Sequence, residues 1–151
     1  SEFASKNKIH SPALIGIRRG GGWVGRRIST ECFPSLDFGE LNIAYYRDDF
    51  SRIGLHPTVE PSELPFNIDD RDVILFDDIL YTGRTVRAAM NEIFDYGRPK
   101  SVILVVLLDR GGRELPISPD ICGIKIELSD QYHVKIENKN SMNFKVFERR
   151  K

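Results

Sequence analysis

The chemistry of this chain concentrates in Val73-Ile74-Leu75-Phe76-Asp77-Asp78-Ile79-Leu80-Tyr81-Thr82-Gly83-Arg84-Thr85. The apolar run predicts a strand that delivers two adjacent carboxylates at its carboxyl end. A turn of small and hydroxylated residues follows, and then a helix begins. In open α/β sheets, ligands sit outside the carboxyl ends of the strands. The free N–H groups of a helix's first turn, aided by its dipole, cradle phosphate. Gly83 lets the backbone come close, and Thr82 and Thr85 add hydroxyl donors. Asp77 and Asp78, acceptor-only when ionised, match the paired hydroxyls of a ribose ring. Phosphate at one end and a diol one step away describes a ribose 5-phosphate. An acidic pair alone more often ends a strand or caps a helix, but the full arrangement is far more specific.

Elements on both sides must hold this segment. Ala13-Leu14-Ile15-Gly16-Ile17 reads as a buried strand, Gly20-Gly21-Gly22 as the turn leaving it, and Trp23 to Cys32 as a helix with Trp23, Val24 and Ile28 on one side. Phe38 to Tyr46 predicts a second strand, followed by a long polar arm carrying Pro57, Pro61 and Pro65. Connections of that length serve as lids, binding loops or hairpins. Val73–Phe76 predicts a strand buried on both faces. Val86, Ala89, Met90, Ile93 and Phe94 then mark one face of an amphipathic helix. Gly97 suits the position past its end, and Pro99 prevents continuation. Val102 to Leu108 supplies the next buried strand, completing a βαβ unit. After Gly123, the stretches 124–128, 133–136 and 144–147 alternate and predict a small antiparallel addition. The fold class is α/β, a parallel sheet flanked by helices.

Bulk composition sets looser bounds. The 151 residues fit one domain, and 40% hydrophobic with 29% charged is ordinary for a globular protein. Lysine plus arginine equals aspartate plus glutamate at 22 each, so bulk charge gives nucleic-acid binding no support. Cys32 and Cys122 have no metal-ligand spacing and suggest a reducing compartment. The longest apolar run, Val102 to Leu108, is too short to span a bilayer, and a cytoplasmic location is expected. Ser1-Glu2-Phe3 looks like a cloning scar, so residues 1–8 are expected to be a remnant and flexible start.

The segment Val73 to Thr85 resembles the 5-phosphoribosyl-1-pyrophosphate signature of type I phosphoribosyltransferases. Gly39-Glu40-Leu41-Asn42-Ile43, Tyr46-Arg47-Asp48-Asp49-Phe50, Gly97-Arg98-Pro99 and Leu108-Asp109-Arg110-Gly111-Gly112-Arg113-Glu114-Leu115-Pro116-Ile117 extend the likeness. Together they resemble the bacterial bifunctional pyrimidine operon regulators that are also uracil phosphoribosyltransferases. Residues 9–151 would then form a single type I phosphoribosyltransferase domain, with a flexible arm over its active site.

That resemblance implies a reaction and residue roles. Uracil and phosphoribosyl pyrophosphate would give uridine monophosphate (UMP) and pyrophosphate, with Mg2+ held mainly through substrate oxygens. Asp77 and Asp78 would hold the ribose hydroxyls and favour the cationic ring. Ile79, Leu80, Tyr81, Thr82, Gly83, Arg84 and Thr85 would line the 5-phosphate site. Arg18, Arg19 and Gly20 would form the pyrophosphate loop, where guanidinium forks suit phosphate. Family members commonly carry threonine near Arg19 and arginine near Gly20, so this loop shifts the charge. Arg47 would reach the pyrophosphate from the arm, and Asp109 and Arg110 would face uracil or its nucleotide. A homodimer or higher homo-oligomer is implied.

Gly20-x-Gly22-x-x-Gly25, with Glu40 downstream, satisfies a dinucleotide fingerprint, but Glu40 is expected before the apolar core of its strand rather than at the carboxyl end. The second functional reading is a UMP- or UTP-sensing RNA-binding attenuator acting on a pyrimidine-operon mRNA leader. The amino-terminal helical segment usual in the family is expected to be absent or reduced to Ser5–Pro12, and the Asn-Ile-Pro-Thr-Ser run of Bacillus-type members has no counterpart after Gly123. A basic face could still form from Arg26, Arg27, Arg87 and Arg149-Arg150-Lys151.

Overall fold

A computed structural model describes residues 2–43 and 62–150. Its helices are α1 (Glu2–Lys6), α2 (Gly20–Cys32) and α3 (Arg84–Tyr96). The strands are β1 (Ala13–Ile17), β2 (Phe38–Leu41), β3 (Asp72–Leu80), β4 (Ser101–Asp109), β5 (Ile121–Lys125), β6 (Tyr132–Ile136) and β7 (Phe144–Glu148). The first five make one sheet in the order β2-β1-β3-β4-β5, every pair parallel. β6 and β7 form a separate antiparallel hairpin. Most of the polar arm, including Arg47, lies outside the described residues.

The sheet is apolar on both faces because both are covered. Ala13, Ile15 and Ile17 of β1 face one core with Leu75, Leu104 and Val86, Ala89 and Ile93 of α3. Leu14 faces the other way, into a core with Val24 of α2, Phe76 and Ile136 of the hairpin. Chain order and sheet order together place a reversal at β1 and β3. From β1 the chain steps outward to β2, then crosses to β3 on β1's other side. Such a switch point opens a crevice at the strands' carboxyl ends.

Four expectations need correction. The glycine run Gly20-Gly21-Gly22 is the first turn of α2 rather than a loop. A Cβ at Gly16 would come within 2.7 Å of the Gly21 carbonyl oxygen, and one at Gly21 would overlap the Phe76 carbonyl. These residues are bare because the helix start presses on two strands. Next, β3 does not end at Phe76. β4 continues alongside, so the ladder runs on through Asp77↔Val106, Ile79↔Leu108 and Leu80↔Asp109. Phe94 is 53% exposed, and Ala88 and Glu92 are buried instead. The helical period fixed the stripe but not its edge. Finally, the stretch after Gly123 is not part of the antiparallel addition. Its first two residues, Ile124 and Lys125, end β5, a parallel edge strand, and residues 126–128 run on beyond it outside any strand.

Gly97 follows α3, but its φ of 171° is extended backbone open to any residue. Space accounts for it, since a Cβ there would lie 2.8 Å from Asp69 Oδ1.

Glu92 carries a polar group into the core side of α3. Its Oε1 accepts from the Ser62 hydroxyl, whose oxygen accepts from the Asn42 amide at 2.8 Å. Its Oε2 is buried without a hydrogen-bond partner among the described residues. Burial pushes this carboxyl above its ordinary value of 4.5. A raised carboxyl pKa favours the fold while the group is protonated, and that contribution is lost as pH rises through the raised value. Glu92→Gln keeps the shape and the acceptor but cannot ionise. It is expected to raise Tm at pH 8 by about 2–4 °C, the shift that ~1 kcal/mol gives in a domain of this size. Calorimetry across pH checks it, and a gain that is equal at pH 4 and pH 8 would rule out ionisation as the cause.

Candidate functional site

Two adjoining clefts open at the switch point. One, of about 170 Å³, is lined by Ile17, Arg18, Arg19, Gly20, Asp77, Asp78, Ile79 and Thr85. The second, of about 100 Å³, is lined by Asp77, Ile79, Leu80, Tyr81, Thr82, Gly83, Thr85 and Val86. They share Asp77, Ile79 and Thr85 as a common wall. The order of groups across the pair is arginine loop, carboxylates, then the amide-rich turn opening α3.

Local backbone explains how each side chain is presented. Asp77 is 4% exposed, and its Oδ1 accepts from the Asp78 amide at 2.9 Å. Asp78 Oδ1 accepts in turn from the Ile79 amide at 2.9 Å. The acidic pair is therefore braced by its own strand. Gly83 adopts φ +93°, a left-handed conformation that favours glycine, and this reversal lets α3 begin at Arg84. The Thr82 hydroxyl accepts from the Arg84 amide at 3.2 Å. The peptide bond between Arg18 and Arg19 is cis. Arg18 Nε lies 3.2 Å from Glu40 Oε2, and Arg26 lies 3.0 Å from Glu40 Oε1. Glu40 is thus occupied by two arginines, and it is near the carboxyl end of the short β2 rather than before its core. The dinucleotide fingerprint fails because its acid is engaged.

The residues expected to act together divide into two groups. Asp77, Asp78, the run Ile79–Gly83, Thr85, Arg18, Arg19 and Gly20 all line the clefts. Arg84 lines neither and pairs at 2.7 Å with Glu114. Asp109 and Arg110 also line neither. Asp109 is 3% exposed and contacts Arg113 at 2.6 Å, and that guanidinium holds its carboxyl below the ordinary range. Arg110, 2% exposed, donates to the carbonyls of Tyr132 (2.8 Å) and Ser129 (3.1 Å), with its guanidinium 3.9 Å over the Tyr81 ring. It ties the C-terminal hairpin to the turn that lines the second cleft. The Tyr81 hydroxyl donates to Asp130 at 2.7 Å, which pushes its pKa up.

Nothing local in the sequence marks Arg113 as part of the site. Its guanidinium donates to the carbonyls of Tyr81 (3.0 Å) and Ile117 (2.8 Å) as well as to Asp109. The spacing of Asp109 and Arg113 hints at a pair, but the Tyr81 contact crosses from one loop to another and has no local signature.

Among the described residues no three His, Cys, Asp or Glu side chains converge on a metal position. Among the described residues that line the clefts, Asp77 and Asp78 are the only carboxylates. No helix of the described residues is long and apolar enough to cross a membrane.

Comparison with known proteins fits this geometry. The model of the phosphoribosyl transferase domain family matches residues 1–137. The bifunctional protein PyrR of Nitrosococcus oceani is 54% identical over 144 residues, 94% of this chain and 81% of that one. PyrR of Pseudomonas syringae pv. tomato is 50% identical over 132 residues, covering 87% and 78%. Among solved structures, the hypoxanthine phosphoribosyltransferase of Trypanosoma cruzi superposes with a TM-score of 0.63 at 17% identity, covering 97% of this chain and 84% of that one. The Staphylococcus aureus enzyme gives 0.59 at 20%, covering 87% and 70%. At such identities the structures establish the fold alone. A parallel sheet with paired clefts at its switch point, a family model spanning most of the chain and relatives about half identical lead to one assignment: the chain belongs to the phosphoribosyltransferase family, among the bifunctional PyrR proteins.

Proposed function

We propose that this protein transfers the phosphoribosyl group of 5-phosphoribosyl-1-pyrophosphate to uracil, giving UMP and pyrophosphate. The pair of clefts sharing Asp77 carries the reading, because its order of groups matches pyrophosphate, ribose and 5-phosphate in turn. The anomeric C–O bond breaks toward pyrophosphate, a C–N bond forms to uracil N1, and the N1 proton leaves. Positive charge grows on the ribose ring beside Asp77 and Asp78, while negative charge grows on the leaving group beside Arg18 and Arg19. Positioning and electrostatic stabilisation can do most of this work.

Mg2+ would be held through substrate oxygens, with Asp77 and Asp78 as the nearest protein carboxylates, and would offset phosphate charge. The side chains of Asp109 and Arg110 are engaged, so base recognition falls to backbone groups of the segment they brace. Buried base edges need such partners, since an unpaired one costs about 1–3 kcal/mol.

The test is product formation with phosphoribosyl pyrophosphate, Mg2+ and either uracil or hypoxanthine. UMP without inosine monophosphate supports the proposal. The reverse overturns the base assignment, and neither product overturns the transferase reading.

A second reading, recognition of an mRNA leader, is favoured by a separate open cleft of about 390 Å³. Trp23, Arg26, Arg27, Thr30, Glu31, Lys139 and Asn140 line it. Three cations beside an aromatic ring suit single-stranded RNA. Arg26 and Arg27 already pair with Glu40 and Glu31, which tempers their charge. If all three cations neutralise phosphates of a single strand, RNA affinity should fall about 20-fold between 50 and 200 mM salt. A flat salt response would remove this reading and leave the transferase untouched.

A further inference from the structure

The turn Tyr81-Thr82-Gly83 can grip a phosphate only if its N–H groups face the cleft. In a trans peptide unit the carbonyl and the following N–H point in opposite directions. Whatever fixes the carbonyls therefore aims the amides. Leu80 O accepts from the Arg110 amide at 3.1 Å, and Thr82 O accepts from the amides of Glu114 (2.9 Å) and Leu115 (3.1 Å). Tyr81 O accepts from Arg113 Nη1 at 3.0 Å. Three consecutive peptide planes are held from behind by the segment 110–115, and one of these contacts comes from a side chain.

Arg113 is suited to that task. Its side chain is only 25% exposed, and it spans Tyr81 O, Ile117 O and Asp109 Oδ2 at once. The planar fork holds these acceptors in fixed relative positions, and a flexible ammonium could not. Asp109 ends β4, so the clamp refers the turn to the rigid centre of the sheet.

We propose that Arg113, anchored by Asp109, is a positioning residue for the phosphate-binding turn, aiming the Thr82 N–H and its neighbours at the 5-phosphate without touching substrate. This rests on the phosphate reading of the second cleft. The arginine loop lines only the other cleft, and this separates the clamp's effect from general loosening of the fold.

Titration calorimetry of the full chain with ribose 5-phosphate, and separately with inorganic pyrophosphate, tests the assignment. Arg113→Lys should weaken ribose 5-phosphate at least tenfold, leave pyrophosphate within twofold, and raise KM for phosphoribosyl pyrophosphate more than it lowers kcat. Asp109→Asn, which keeps the shape but removes the charge from the clamp, should move ribose 5-phosphate in the same direction by less. Equal weakening of both ligands, or of neither, overturns the assignment while wild type still binds ribose 5-phosphate. Wild type that binds pyrophosphate but no ribose 5-phosphate overturns the phosphate reading and the assignment with it.

Discussion

Asp78→Asn is expected to lower kcat/KM for UMP formation by about 10²–10³-fold, a loss of ~3–4 kcal/mol of transition-state stabilisation. The fold should survive, because Asp78 Oδ1 accepts from the Ile79 amide and an asparagine oxygen can keep that bond. What disappears is a negative charge facing the ribose ring as it becomes cationic. A unit pair about 4 Å apart at an effective dielectric near 20 interacts by ~4 kcal/mol, the same order as the expected loss. The amide also donates on one side, so it matches a diol less well than a carboxylate that only accepts. Steady-state kinetics at saturating Mg2+ give the ratio, and calorimetry confirms an unchanged Tm. A decrease below tenfold would mean that Asp78 shapes the turn without bearing on charge.

The sequence and the structure agree best where the chemistry is local. The run Val73–Thr85 displays strand, acid pair, turn and helix start in order, and with Arg18, Arg19 and Gly20 it places eleven of the expected residues on the two clefts. A buried parallel strand and an amphipathic helix each carry their own period, so β1, β3, α3 and β4 were legible. Edges were not. Ile124-Lys125-Ile126-Glu127-Leu128 alternates in residue type as a hairpin strand does, yet it only ends the parallel edge strand β5 and runs on past it. The glycine run looked like a turn because nothing local says that Gly21 must lie against the Phe76 carbonyl. Arg110 looked like a base-binding residue, yet its acceptors, the carbonyls of Ser129 and Tyr132, come from the start of the C-terminal hairpin and the segment leading into it, about twenty positions on. The same holds for Arg113, whose contact with the Tyr81 carbonyl crosses between loops. Side chains that brace a site from another loop are set by tertiary geometry, and spacing along the chain does not encode it.

Gly20→Ala should be nearly as damaging as loss of the acid, although alanine is a mild change. Gly20 opens α2, and its φ falls outside the left-handed range, so alanine meets no backbone penalty there. The conflict is with a neighbour. A Cβ at this position would overlap the Asp78 carboxylate and lie 2.9 Å from Asp78 Cβ. Either Asp78 rotates away, or the start of α2 moves and takes Arg18 and Arg19 with it. Both outcomes displace the wall between pyrophosphate and ribose, and a shift of ~1 Å in a reacting geometry can cost about 10²-fold. Overpacking should also lower stability by about 1–3 kcal/mol. Activity is thus expected to fall about 10²-fold, with a Tm decrease that leaves the protein folded at assay temperature. A double-mutant cycle separates this mechanism from general damage. In an Asp78→Gly background both the carboxylate and the Cβ that a Gly20 methyl would meet are gone, so Gly20→Ala should add less than about threefold, an interaction between touching residues. Full additivity would show that Gly20 acts through the arginine loop alone.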